Sequence, residues 1–228
     1  MAVRHLIRPG VCPARGTGGG DGAPVGEPDA GTRSPRITYD PAQSSRIFLP
    51  TGEPVAGTLL VVLVPGGGWV SADPAGLTGL TAWLSEQGAA VVTSTYRTAP
   101  DGAHFPVPVQ DIACVVPDRF VGLAGPYDVA RIDGAVDRVF GPTGGTRVDR
   151  SGADPATLAT GRADLRVLLV HGTDDTVVPV ELSQEFEAAL VEAGHEVTVR
   201  YLDGVDHLSV CLADVAGPVI ADWLRLSG

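Results

Sequence analysis

The chain has 228 residues, of which 44% are hydrophobic and only 5% aromatic, so it is long enough for one domain with a mainly aliphatic core. Sixteen Lys and Arg oppose 27 Asp and Glu, and the net charge of -11 repels phosphate backbones and anionic lipid headgroups. We therefore expect neither nucleic acid nor membrane as a partner, and no apolar run reaches the ~18 residues that cross a bilayer.

Residues 1–36 differ in composition from the rest, with eight glycines and five prolines. Such a segment buries too little apolar surface to offset the entropy of ordering it, so we predict a disordered leader. A start codon assigned too far upstream is the alternative. Pro9 and Gly10 interrupt any apolar h-region, and a signal peptide is not predicted. The folded domain is expected to span residues 37–228.

The three cysteines, Cys12, Cys114 and Cys211, are odd in number and widely spaced. This pattern fits neither a disulfide framework nor a zinc site. The sequence therefore predicts no metal and no other cofactor. A reducing compartment, the cytoplasm, is the simplest interpretation of the unpaired cysteines.

Short apolar runs alternate with segments of helical periodicity through the predicted domain. Residues 58–64 are apolar after Thr58 and stop at Pro65, which is typical of a central strand buried on both faces. Further strands are predicted at residues 89–95, 119–123, 165–170 and 196–202, and helices at residues 77–88, at residues 179–194 and from near His207 to residue 223. This alternation predicts an α/β fold with a parallel sheet between two layers of helices.

Three glycines, Gly66, Gly67 and Gly68, follow the central strand and precede Trp69. Consecutive glycines allow the backbone to turn sharply and to present N–H groups to an anion, as an oxyanion hole requires. An ordinary flexible turn is the alternative, and the glycines alone favour neither interpretation.

A second group of polar residues follows later strands. His171 and Asp175 stand at the carboxyl end of predicted strand 165–170, and His207 comes after the last predicted strand. An aspartate in this place can orient a histidine, although Asp before a helix is also a common cap. Three other histidines have no such context: His5, His104 and His195.

These motifs, in this order, resemble the α/β-hydrolase superfamily, in particular HGGGW-type esterases and lipases and the kynurenine formamidases. Residues 65–69 are similar to HGGGW, with a proline in place of the histidine, which restricts the loop and removes one backbone donor. Residues 171–179 resemble HGxxDxxVP, and residues 204–207 resemble GxxH. Residues 105–113 and 120–128 resemble the stretches that flank the nucleophile strand.

The resemblance implies an α/β-hydrolase three-layer sandwich with a mostly parallel sheet. It implies that Asp175 orients His207, and that the glycine loop forms the oxyanion hole. The implied activity is hydrolysis of a carboxylic ester or an arylformamide, in which His207 takes the proton of a serine that is then acylated. The implied ligand is a small-molecule ester or amide.

The sequence departs from the family at the nucleophile. Only residues 114–119 lie where the family carries a helix, a strand and the G-x-S-x-G elbow with its following helix, and a βαβ repeat alone needs ~30 residues. None of the ten serines and none of the cysteines has glycine at both -2 and +2. We therefore expect a sheet truncated by loss of the nucleophile strand and its adjoining helices.

No other residue is placed to substitute for this serine. Ser71 follows the glycine loop and Ser209 lies two residues after His207, but neither follows a strand as an elbow requires. If strand 119–123 moved beside the central strand, the residue at the tip of its turn would be Ala124. Loss of a central strand also leaves open edges, so we expect a marginal fold, a homodimer that covers the gap, or a chain that does not fold.

Three hypotheses about function follow. The first is a hydrolase that is inactive or strongly impaired, a pseudoenzyme in which Asp175 and His207 survive without a nucleophile. The second is a non-catalytic protein that binds a small ligand or regulates another protein on the hydrolase scaffold. The third is a degraded gene product without a selected role.

Overall fold

The computed structural model describes residues 36–40, 43–50, 58–105, 107–112, 119–132, 134–141, 155 and 164–226. The predicted leader, apart from its last residue, lies outside the described residues. Within the described part, no helix combines the length and hydropathy needed to span a bilayer.

The described strands form two sheets. The first has the order β1-β2-β4-β3 and contains β1 (Arg36–Asp40), β2 (Gln43–Phe48), β3 (Leu60–Leu63) and β4 (Ala90–Ser94). Its strands β3 and β4 are parallel, whereas β1 and β2 are antiparallel additions. The second sheet is entirely parallel, with the order β5-β6-β7, and contains β5 (Arg119–Leu123), β6 (Arg166–Gly172) and β7 (Val197–Leu202).

Strand β3 ends the first sheet. Among the described residues it pairs with β4 alone, and no ladder joins it to β5. All four of its residues are half-buried, so the prediction of a central strand buried on both faces is wrong for this structure. The physical reason is that a strand with one neighbour keeps part of its surface open.

Five α-helices have both bounds within the described residues: α1 (Thr78–Glu86), α2 (Val107–Ile112), α3 (Ala135–Phe140), α4 (Val180–Glu192) and α5 (Ala213–Leu224). Helices α1, α4 and α5 contact the sheets. Helix α4 buries Leu182, Phe186 and Leu190, which confirms the helical spacing seen in the sequence. Helix α5 begins six residues later than predicted. The cause is the Asp206 side chain, which accepts two backbone N–H groups and folds a short turn first.

One hydrophobic core joins the two sheets. Leu84 of α1, Val91 of β4, Val170 of β6 and Ile220 of α5 belong to a single cluster of buried side chains. Where α1 meets α5, the Trp83 ring lies so close to the α5 backbone that a Cβ on its nearest residue, Gly217, would come within 2.8 Å of it. Helix α4 covers the opposite face of β6. The predicted α/β class, with helices on both faces of mostly parallel strands, is confirmed.

Candidate active site

The predicted site residues all follow the carboxyl ends of strands. Asp175 follows β6 and His207 follows β7 in the second sheet, whereas the glycine loop follows β3 in the first. Because β6 and β7 are parallel neighbours, their carboxyl ends lie side by side. This brings Asp175 and His207 into direct contact.

His207 and Asp175 form a hydrogen-bonded pair. The distance from His207 Nδ1 to Asp175 Oδ2 is 2.8 Å, with the Asp175 side chain 0% exposed and the His207 side chain 29% exposed. An ionised carboxylate only accepts hydrogen bonds, so the His207 proton lies on Nδ1 and its Nε2 is left as a base. A carboxylate in this position holds the imidazole in one tautomer and one orientation.

Two backbone amides hold the other oxygen of Asp175. The N–H groups of Val177 and Val178 each donate to Oδ1 at 2.8 Å. Burial raises the pKa of the Asp175 carboxyl, but the hydrogen bonds from Val178, His207 and Val177 outweigh it, and the net pKa lies below its ordinary value. The carboxylate is therefore held in its ionised form.

His171 also contacts this carboxylate, a role that sequence reasoning missed. Its side chain is completely buried, and its Nε2 lies 3.1 Å from Asp175 Oδ2 and 2.9 Å from the Val178 carbonyl oxygen. Its Nδ1 lies 2.6 Å from Ser183 Oγ of α4. The H-G-x-x-D spacing places the histidine and the aspartate at the two ends of one tight turn, but it does not indicate which way the ring points.

The glycine loop adopts the sharp turn expected of it. Gly67 has φ +143°, Gly68 φ +59° and Trp69 φ +62°, values that favour glycine. The Gly67 carbonyl accepts the N–H groups of Val70 and Ser71 at 3.1 and 3.2 Å, and a Cβ at Gly67 would meet the Ser71 carbonyl oxygen at 2.2 Å. Only glycine fits this position.

A partly buried ion pair holds the segment that packs on the glycine loop. Asp111 accepts hydrogen bonds from Arg97 Nε at 2.9 Å, from Nη2 at 2.6 Å and from the Arg97 backbone N–H at 3.0 Å. Two residues further on, the Ala99 N–H donates to the Trp69 carbonyl oxygen at 2.9 Å. The conformation of the loop is thus supported from a second chain segment.

None of the three residues considered as replacement nucleophiles supplies a hydroxyl at an elbow. Ser71 is exposed, and its Oγ accepts the Asp73 N–H at 3.3 Å in a local turn. Ser209 opens a short 3-10 turn, Ser209–Cys211, and does not follow a strand. Ala124, at the end of β5, has a left-handed φ of +46° and is buried, but β5 pairs with β6 and has not moved beside β3.

Comparison with known proteins identifies the fold. The BD-FAE family model, which describes an α/β-hydrolase-type esterase family, matches residues 46–125. No curated protein matches the sequence. Among solved structures, the acetyl ester-xyloside bifunctional hydrolase from Caldicellulosiruptor lactoaceticus is similar with TM-score 0.65 and 15% identity, covering 83% of this chain and 92% of that one.

Two further esterase structures are similar over comparable lengths. Carboxyl esterase 2 from Tuber melanosporum gives TM-score 0.61 at 17% identity and covers 85% of each chain. Thermogutta terrifontis esterase 2, phosphoramylated by tabun, gives TM-score 0.62 at 15% identity and covers 86% of this chain and 96% of that one. The chain therefore has the α/β-hydrolase fold, and the resemblance seen in its motifs is confirmed at that level.

Proposed function

We propose that this chain keeps the acid and base of an ester or arylformamide hydrolase and that its own turnover is absent or strongly reduced. The observation that carries the proposal is the 2.8 Å contact between His207 and the buried Asp175. The expected loss of turnover follows from the sequence, in which no serine or cysteine has glycine at both -2 and +2. The proposed base, His207, is thus still oriented by Asp175, but the chain lacks the nucleophile that this base would activate.

The chemistry of the retained half follows from its geometry. His207 Nε2 can take a proton, and the Asp175 carboxylate stabilises the imidazolium that forms. The N–H groups of Gly66, Gly67 and Gly68 donate to no acceptor within the described residues, and an oxyanion could use them. With no hydroxyl to acylate, His207 could activate only water, and such sites retain roughly 10³-fold acceleration over the uncatalysed reaction.

A second function, binding without turnover, is favoured by the persistence of the glycine loop and the acid–base pair in a chain without a nucleophile. The ligand would be a small ester or amide whose carbonyl oxygen accepts hydrogen bonds from the loop. Such a ligand would raise the unfolding temperature without being consumed, and the stabilisation would grow with the logarithm of its concentration over its dissociation constant.

Hydrolysis of a chromogenic short-chain ester tests the proposal. We expect the parent, His207→Ala and Ala124→Ser to give traces close to buffer, since none of them places a hydroxyl opposite the imidazole. Leu208→Ala, which changes the exposed neighbour of His207, is the matched control. Turnover in the parent far above the roughly 10³-fold acceleration expected without a nucleophile, retained in Leu208→Ala and lost in His207→Ala, would disprove the proposal and reveal a relocated nucleophile.

A further inference from the structure

Two histidines meet at a single carboxylate oxygen. Asp175 Oδ2 lies 2.8 Å from His207 Nδ1 and 3.1 Å from His171 Nε2, whereas Oδ1 is occupied by two backbone amides. The two rings differ in their surroundings. His171 is completely buried on strand β6, whereas His207 is partly exposed in the loop after β7.

The neighbours of His171 fix the position of its proton. Both groups near Nε2, the Asp175 carboxylate and the Val178 carbonyl, are acceptors only, so Nε2 must carry a hydrogen. Ser183 Oγ can then donate to Nδ1 at 2.6 Å when the ring is neutral. His171 therefore has the Nε2–H tautomer, and His207, which donates through Nδ1, has the opposite one.

The two backbone hydrogen bonds to Oδ1 do not by themselves fix the orientation of the Asp175 carboxylate. The Val177 and Val178 N–H groups hold one oxygen, and Oδ2 can still turn about it unless a second rigid group holds it. His207 cannot be that group, because its own orientation depends on Oδ2. His171 can, because its ring is anchored between β6 and Ser183 of α4.

We propose that His171 is a positioning residue for the acid–base pair: it anchors Oδ2 of Asp175 and so aims that oxygen at His207. The assignment rests on the proposed role of His207 as the base. His171 acts through Asp175 and does not contact the reacting groups. Ser183 holds the His171 ring and is the outermost member of the chain of contacts.

Nitrogen-15 NMR of the ring nitrogens in the full-length protein tests this assignment directly. We expect opposite neutral tautomers in the parent, Nε2–H for His171 and Nδ1–H for His207. In His171→Leu, the ratio of Nδ1–H to Nε2–H at His207 should fall about tenfold, as expected for loss of one charge-assisted hydrogen bond. In His171→Gln, whose amide nitrogen can occupy the place of Nε2, the ratio should recover.

The outcomes separate this assignment from the proposed reaction. An Nδ1–H tautomer for His171 in the parent would overturn it, and so would an unchanged His207 ratio in a folded His171→Leu protein. The parent spectrum answers the first question even if His171→Leu fails to fold. The spectra require no turnover, so the ester assay can contradict the proposed function while the tautomers still report on His171.

Discussion

At the scale of single residues, the hydrogen bonds of the site converge on Asp175. Each of its two oxygens accepts two hydrogen bonds, from two backbone amides and two imidazoles. All four donors are satisfied by one buried carboxylate. An uncharged amide cannot replace it, because its NH₂ group brings further donors to a site that needs acceptors.

Asp175→Asn should therefore lower the free energy of unfolding by about 1–3 kcal/mol, the typical cost of leaving buried donors unpaired. Urea denaturation at pH 7 measures the change. The matched control is Asp174→Asn at the exposed neighbouring position, where we expect a change within about 0.5 kcal/mol. Equal effects of the two substitutions would contradict the central role of Asp175.

The sequence predicts that Asp175 and His207 lie together but does not predict that His171 contacts Asp175, and the roles of acid and base stay a proposal. Asp175 and His207 were found because motif order and spacing imply the ends of neighbouring strands, and the structure places the two side chains in contact. The role of His171 depends on which way its ring points and on Ser183, twelve residues away. Spacing carries no information on ring orientation, so the sequence alone does not predict this contact.

At the scale of elements, the turn after β6 packs directly against the turn after β7. A Cβ at Gly172, the last residue of β6, would come within 1.9 Å of the Val205 carbonyl oxygen. The close approach of these two backbones sets the distance between the loops that carry Asp175 and His207. Glycine at this position is required for space, not for an unusual φ.

Gly172→Ala should lower the free energy of unfolding by about 1–3 kcal/mol, because the added methyl group pushes backbone against backbone. It should also lengthen the contact between Asp175 and His207, visible as a change in the His207 ring resonances. Thermal denaturation measures the first effect. Gly79→Ala in α1 is the control, since its Cβ would lie 3.9 Å from Ala213, and alanine stabilises a helix by about 0.5–1 kcal/mol.

The periodicity of apolar residues predicts the buried faces of helices, but it does not predict which strand lies at the edge of a sheet. The apolar spacing of α4 identified its buried face correctly, because a helix carries its pattern in its own sequence. The exposure of β3 depends instead on which strand lies beside it, and an apolar run such as residues 60–63 is compatible with a centre or an edge. The loss of the nucleophile segment stays a prediction from the motif gap; in the described part of the chain, β3 and β5 have no ladder between them.

At the scale of the whole molecule, several carboxylates make stability depend on pH in the same direction. Burial raises the pKa of Asp175 but hydrogen bonds outweigh it, and backbone N–H groups lower the pKa of Asp206 at Ser209 and of Asp101 at Thr98. The folded protein thus binds these protons less tightly than the unfolded chain, whose Asp pKa is near 3.8. The resulting stability is present above this value and is lost as the pH falls through the lower folded pKa values.

These carboxylates should leave the urea concentration at the unfolding midpoint unchanged between about pH 7 and pH 5. At pH values under about 4, the midpoint concentration should decrease. Denaturation at a series of pH values measures the profile. Asp175→Asn should show a shallower acid limb than the parent, since one of the contributing carboxylates is gone. A midpoint that rises on acidification would contradict the sign of these pKa shifts.

The homodimer and the cytoplasmic location stay predictions. The homodimer was inferred from the open edges that a missing strand leaves, and the cytoplasm from the unpatterned cysteines.

The division into two sheets also separates the parts of the site. The loop of glycines belongs to the sheet of β3, whereas both imidazoles and the carboxylate belong to the sheet of β6 and β7. In the described residues no main-chain ladder runs between these halves, and the contact of Trp83 with Gly217 lies where their helices touch. Within the described residues, the placement of the proposed oxyanion loop relative to the proposed base thus depends on the shared hydrophobic core and on loop contacts such as the hydrogen bond from the Phe105 N–H to the Val139 carbonyl oxygen at 2.7 Å, and not on strand pairing.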